Sequence, residues 1–254
     1  VTVFFSVVRA EWTKARTVRS TWWSLAVATV LCVGIAVLLG LQMADSYDRM
    51  VGSSAQLAFY PLLIGQIALV VFGVLLVSTE YTTGTIRASL AAVPRRGVFL
   101  AAKALTAAGI AGVLAVVVSF GAFLATQWGL GEHGTTLAEP GVLRAVLGAC
   151  AYLTMMCVFV MGVATVLRST ALSLGIMIPV LFLNSQGLAS LPAIRPVTQY
   201  LPDQAGAVMM HIGEPGRTIL GHSDFGPGGA FLIMVAWVAA ALAGAYVSVR
   251  RRDA

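Results

Sequence analysis

Charge is what this sequence has least of. Acidic and basic side chains make up 10% of its 254 residues, against about 25% in an ordinary soluble domain. So few charges cannot cover a water-facing surface of this size, and a mean hydropathy of +0.91 places the bulk of the chain against lipid. Lysine is scarcer still: there are only Lys14 and Lys103, each followed by alanine. A P-loop needs GxxxxGK[ST], with its lysine on the phosphates, so the chain cannot hold a Walker motif or hydrolyse ATP by that route. Cysteine is limited to Cys32, Cys150 and Cys157, all inside apolar runs and without ligand-spaced partners. They read as small buried apolar residues. His133, His211 and His222 form neither HExxH nor a Cys/His pairing, so no metal site is expected. No secretory signal is expected either, because the basic N-terminal segment is too long for an n-region and no small-residue cleavage site follows the first apolar run.

What the chain has instead is long apolar runs. Read at about 20 residues per span, six emerge: 22–41, 57–78, 104–126, 145–167, 171–191 and 229–249. The runs are continuous rather than alternating, which selects helices over barrel strands. The expected fold is an all-α membrane protein, one transmembrane domain over 1–254. The third run can begin as early as Phe99, with Lys103 snorkelling toward the interface.

The basic residues are unevenly placed. Arg9, Lys14, Arg16 and Arg19 precede the first span. Arg87, Arg95, Arg96 and Lys103 follow the second, Arg168 follows the fourth, and Arg250, Arg251 and Arg252 end the sixth. The opposite side receives only Arg49, Arg144, Arg195 and Arg217. By the positive-inside rule both termini are cytoplasmic, in a multi-pass protein of a bacterial plasma membrane. The pI near 9.7 is thus a topology signal, and no nucleic-acid partner is expected.

Two short polar segments stand out. The arm 1–21 has Phe5, Val8, Trp12 and Ala15 on one helical face, with Arg9 and Arg16 flanking it, the pattern of a helix lying in the membrane interface against lipid. The stretch EYTTGTIRASLAAVPRRG (80–97) separates two apolar runs. After the Thr-Gly turn, Ile86, Leu90 and Val93 share one face of a short helix that Pro94 stops. Glu80 falls at the end of the second span, where a carboxylate opposes the helix dipole. It therefore needs a cationic partner, with Arg87 or Arg95 as the candidates.

The opposite side carries turn-rich loops. Pro179 interrupts the fifth run, and Pro192, Pro196 and Pro202 follow. Irregular backbone at membrane depth must be satisfied by protein or a wet cavity, so 187–210 is expected to dip back toward the membrane and 211–228 to be an exposed loop. Gln66, Asn184 and Gln186 are the polar residues at membrane depth, placed for helix–helix hydrogen bonds or for a substrate path. Asp203, His211, Glu214, His222 and Asp224 share one loop. If they converge, an intramembrane enzyme acting on lipid or glycan through 192–228 is the competing function, and a sensory membrane partner of an ATPase is another.

Three stretches carry a resemblance: RAEWTKARTVRSTWW (9–23), EYTTGTIRASLAAVPRRGVFLAAKAL (80–105) and YLPDQAGAVM (200–209). Together they resemble the permease subunit of type-2 ATP-binding-cassette exporters, in particular actinobacterial drug- and antibiotic-export permeases. The resemblance implies outward movement of a hydrophobic or amphipathic substrate (a drug, antibiotic or lipid-like molecule), driven by two separate ATPase subunits. ATP and Mg would sit on those partners, with no cofactor on this chain. A second permease chain is implied, a homodimer before a heterodimer. Residue by residue, it assigns Glu80, Gly84, Thr85, Ile86, Arg87, Pro94 and Arg95 to a coupling helix that seats in the ATPase. Glu11, Trp12, Lys14, Arg16 and Arg19 fall in the connecting helix, and 187–228 in a re-entrant and external segment.

Overall fold

The structure, a computed structural model, describes residues 2–17, 19–44, 53–182, 195–213, 217–218 and 221–252. Asn184, Gln186 and the first part of the expected re-entrant segment lie outside the described residues, as do the side chains of Arg19 and His222.

Among the described residues the regular structure is helical, save one two-residue antiparallel pairing of β1 (Arg217–Thr218) with β2 (Gly221–His222). Five helical stretches among the described residues are long and apolar enough to cross a membrane. They are built on α2 (Arg19–Ala44), α4 (Leu62–Thr82), α6 (Arg96–Leu130), α7 (Val142–Leu167) and α11 (Pro227–Arg252). A four-residue helix, α3 (Ser54–Leu57), leads into α4, so the second span enters through a turn before Pro61. The fifth apolar run yields the shorter α8 (Thr170–Phe182), with Pro179 inside it.

The bundle is held by small residues. Along α6, Ala102, Ala107, Ala111, Ala115 and Ala122 recur near helical period and are completely buried. Without a hydrophobic drive between helices in lipid, such residues let backbones approach and gain dispersion contacts. The stripe packs α6 along α2 and α7. The most enclosed span, α7, takes α4 and α11 on its other sides and carries Tyr152, Leu153, Met156 and Met161 into the core. Cys32, Cys150 and Cys157 are buried thiols, as the sequence implied. By contrast, Trp23, Val30 and Leu38 of α2 and Leu232 of α11 point outward, as lipid-facing side chains do.

The two ends of the bundle differ. One gathers the N-terminal helix α1 (Thr2–Thr17), the last turn of α4, the short α5 (Thr85–Ala92), the start of α6 and the last turn of α11; we call it the terminal end. At the other, α9 (Arg195–Thr198) and α10 (Pro202–Met209) fold back against the spans. The Trp237 indole N–H donates to the Tyr200 carbonyl at 2.8 Å, and Trp237 sits about 15 Å into α11 at 1.5 Å per residue. Gly206 of α10 faces the Tyr152 ring so closely that an added Cβ would lie 2.3 Å from it. Helix α10 thus packs against α7 and α11 well inside their ends, with Ala205, Val208 and Met209 buried.

Candidate functional site

The site is built at the terminal end, around the stretch that joins α4 to α6. Helix α4 ends at Thr82, and Gly84 takes φ 72° before α5 begins. A side chain would be strained in that left-handed conformation, which glycine adopts freely. Val93 then leaves the helix at φ −128°, ψ 82°, because the following Pro94 disfavours helical geometry in its predecessor. A Gly turn and a proline stop thus fix an eight-residue helix between two spans. Ile86 anchors it as the buried residue, while Gly84, Thr85, Arg87, Pro94 and Arg95 are exposed. The Thr83 and Thr85 hydroxyls bond each other at 2.9 Å.

What holds this corner is a buried ionic network. Lys103 is only 2% exposed. Its Nζ donates to Glu11 Oε2 at 2.6 Å and to Glu80 Oε1 at 3.0 Å, and it lies 5.2 Å from the centre of the Phe99 ring. Lys14 Nζ donates to Glu11 Oε1 at 2.7 Å, Glu80 Oε1 at 3.1 Å and Ser89 Oγ at 3.0 Å. An ammonium has three donors, and Lys14 spends all of them, one on each of α1, α4 and α5. Two carboxylates and two ammoniums alternate, so the cluster is neutral. Lys103 and Glu11 are withdrawn from water, while Lys14 closes the network at the surface.

Two expectations change here. Glu80 pairs with Lys14 and Lys103 rather than Arg87 or Arg95. Lys103 does not snorkel to the interface; it turns inward because two carboxylates wait there. Helix α1 packs inward through Val7, Glu11 and Ala15, while Phe5 is 64% and Trp12 39% exposed. Arg16 is also exposed.

The electrostatics follow from the geometry. Burial alone would raise the Glu11 pKa, but the charge of Lys103, its hydrogen bond, and Lys14 outweigh it and hold the carboxyl below its ordinary 4.5. Lys14 behaves conversely. Burial lowers it, yet Glu11 and Glu80 raise it above 10.5. Both shifts favour the charged network.

Neighbouring arginines stitch the same end together. The guanidinium of Arg168, which caps α7 at φ 58°, stacks 5.1 Å over the Tyr81 ring and donates to the Ser248 carbonyl at 3.1 Å. Arg96 donates to the carbonyls of Val249 and Arg250. The last carbonyls of a helix lack intrahelical partners, so these two arginines close the end of α11.

The other expected positions are scattered. Gln66 is buried within α4. Of the loop acids and histidines, Asp203 is buried in the first turn of α10, and Asp224 accepts from Gln199 Nε2 at 2.9 Å. Arg144 donates to the His211 carbonyl at 2.8 Å, and burial, then Arg144, lowers the His211 pKa. Glu214 lies outside the described residues. The described members go to different partners and build no common centre. Lys103 is the functional residue that sequence reasoning left out of the site. The available signal was scarcity: the chain's two lysines share a side with Glu11 and Glu80, two of only three acids there.

No curated protein matches the chain. Residues 7–184 match the model of a protein family described as ABC-2 family transporter protein, and with most of its length so covered this multi-span chain belongs to the ABC-2 transporter family.

Proposed function

We propose that this chain is the permease subunit of an ATP-binding-cassette exporter. It moves a hydrophobic or amphipathic substrate outward, driven by two separate ATPase subunits that dock on α1 and α5 and carry the ATP and Mg. The ionic network carries this reading. It fastens the N-terminal helix, the end of α4, Ser89 of α5 and the start of α6 through Lys14 and Lys103. A force applied to α5 is therefore delivered to two spans together and not dissipated in a slack loop. Glu11, Lys14 and Glu80 hold the joint. Gly84 and Pro94 bound the helix, Ile86 seats it, and Thr85, Arg87 and Arg95 are exposed toward the ATPase, with Trp12 and Arg16 on the neighbouring helix. The family supports a separate ATPase, and the absence of a Walker lysine in the sequence agrees with it. With the terminal end cytoplasmic, as the basic residues place it, two copies of the chain form the pathway as a homodimer.

The test is purification with and without the partner. The chain alone hydrolyses no ATP, and the tagged chain brings down an ATPase subunit. Hydrolysis by the isolated chain refutes the assignment. An impermeant thiol reagent applied to intact cells labels Gly131→Cys and not Ala91→Cys; the reverse pattern overturns the orientation.

A further inference from the structure

The ionic network leaves the terminal end with a surface of one sign. Among the described residues that end has two acids, Glu11 and Glu80, and both are buried and spent on Lys14 and Lys103. Its cations are more numerous. Arg9 and Arg16 of α1 are exposed, as are Arg87 in the first turn of α5 and Arg95 directly after Pro94. None of these four guanidiniums enters an ion pair among the described residues. The two helices differ in what lies beside the charge. Helix α1 exposes Phe5 and Trp12, large apolar side chains of the kind that enter the boundary between headgroups and acyl chains, so Arg9 and Arg16 have lipid phosphates at hand. Helix α5 seats inward on Ile86 and exposes Thr85, Ala88, Ala91 and Ala92, with no large apolar side chain among its exposed residues. Its outward side gains nothing by entering lipid, and its short side chains let a protein surface come close.

We propose that α5 docks into an acidic cleft of the separate ATPase subunit, with carboxylates on the cleft's rim opposite Arg87 and Arg95. The proposal rests on the exporter reading above and adds the chemistry of the contact. Arginine suits such a rim, because a planar guanidinium meets a carboxylate with two parallel donors. Complementary charge on the two faces steers the subunit onto α5 and suppresses wrong orientations. The ionic network contributes to this as well as to rigidity. With Glu11 and Glu80 neutralised by the two lysines, no exposed carboxylate among the described residues of this end repels an approaching acidic surface or captures Arg87 and Arg95 for itself.

The experiment places the full chain in nanodiscs, one set of phosphatidylcholine alone and one with added phosphatidylglycerol, and titrates in the ATPase subunit that copurifies with the tagged chain. Arg87→Gln and Arg95→Gln should each weaken association about threefold, and Arg87→Glu and Arg95→Glu about tenfold, the loss of an exposed ion pair and then a repulsion of similar size. Thermal midpoints should stay near that of the unmodified chain, since both positions are exposed. Raising NaCl from about 0.1 M to about 1 M, which shortens the screening length from about 10 Å to about 3 Å, should weaken the unmodified complex about tenfold. Arg251→Glu removes the same charge from the end of α11 and should cost about twofold or less, as a charge outside the contact. Binding that ignores salt and both reversals refutes the acidic cleft and leaves the ATPase assignment standing. Failure of the unmodified chain to bind any ATPase subunit refutes both. Equal losses from the neutral and the reversed variants assign the arginines to packing. Losses confined to the phosphatidylglycerol discs assign them to lipid headgroups, and an Arg251→Glu loss as large as the others assigns the effect to net charge. Each of these three results overturns the proposal.

Discussion

Replacing Lys103 with methionine removes the most deeply buried charge of the ionic network while keeping a side chain of similar length. In the native protein its Nζ serves Glu11 at 2.6 Å and Glu80 at 3.0 Å. In Lys103→Met both carboxylates remain buried, and only the half-exposed Lys14 is left to neutralise them. Breaking a buried pair from one side costs about 3–5 kcal/mol, because the surviving charge is stranded. At about 2–4 °C per kcal/mol for a chain of this size, the thermal midpoint falls by roughly 6–20 °C. The informative partner is Lys103→Met combined with Glu11→Gln. It leaves one carboxylate, Glu80, opposite one ammonium, Lys14, and restores neutrality. The double variant should melt above the single one, although it carries more changes. Midpoints in detergent, with the Glu11→Gln single variant completing the cycle, give the coupling directly. If the double variant melts at or below Lys103→Met, the residues are not energetically joined and the rigid corner does not exist.

The network also sets a pH window. The folded pKa of Glu11 is depressed, so its contribution is present above the ordinary 4.5 and lost as pH falls through the folded value. That of Lys14 is raised, so its contribution is present below 10.5 and lost as pH rises beyond. Thermal midpoints should plateau between these limits, and Glu11→Gln should flatten the acid limb. Gly84→Val should cost about 1–2 kcal/mol from the left-handed backbone alone, since the space around its Cβ is open. It should weaken ATPase copurification at near-normal expression, with Gly84→Asn milder because asparagine tolerates that conformation. Gly206→Ala should lower the midpoint, because its Cβ would meet the Tyr152 ring. Adding Tyr152→Leu, which deletes the clashing ring atoms, should recover part of the loss; no recovery would mean the α10 contact is misplaced.

Much of this was legible in the sequence because it is local. Apolar runs mark the spans, and the Gly84 turn with Pro94 brackets α5 to within a residue of its observed ends. Ile86 could be read as its anchor from spacing alone. The network was not legible, because its members are remote: Glu11 and Lys103 stand 92 positions apart, Glu80 and Lys103 23 apart. Judged on one helix, a lysine near the start of an apolar run belongs at the headgroups. It turns inward only when tertiary packing brings carboxylates to it. Which residues of α1 pack inward was remote in the same way: Glu11 is buried against Lys103 of α6, with Val7 and Ala15 beside it. The fifth span was harder for a local reason, as Pro179 and the polar residues after it break the periodicity on which the reading depends.

The central claim is that a separate ATPase grips the outward side of α5. A photo-crosslinking residue in place of Ala88, exposed on α5, tests it in intact cells without knowledge of the substrate. The account predicts an adduct whose peptides include a Walker-motif subunit, in a yield that changes when ATP is trapped with vanadate. The same probe in place of Arg144, at the opposite end, should give none. An unmodified chain at Ala88 beside an ATPase adduct at Arg144 would contradict it.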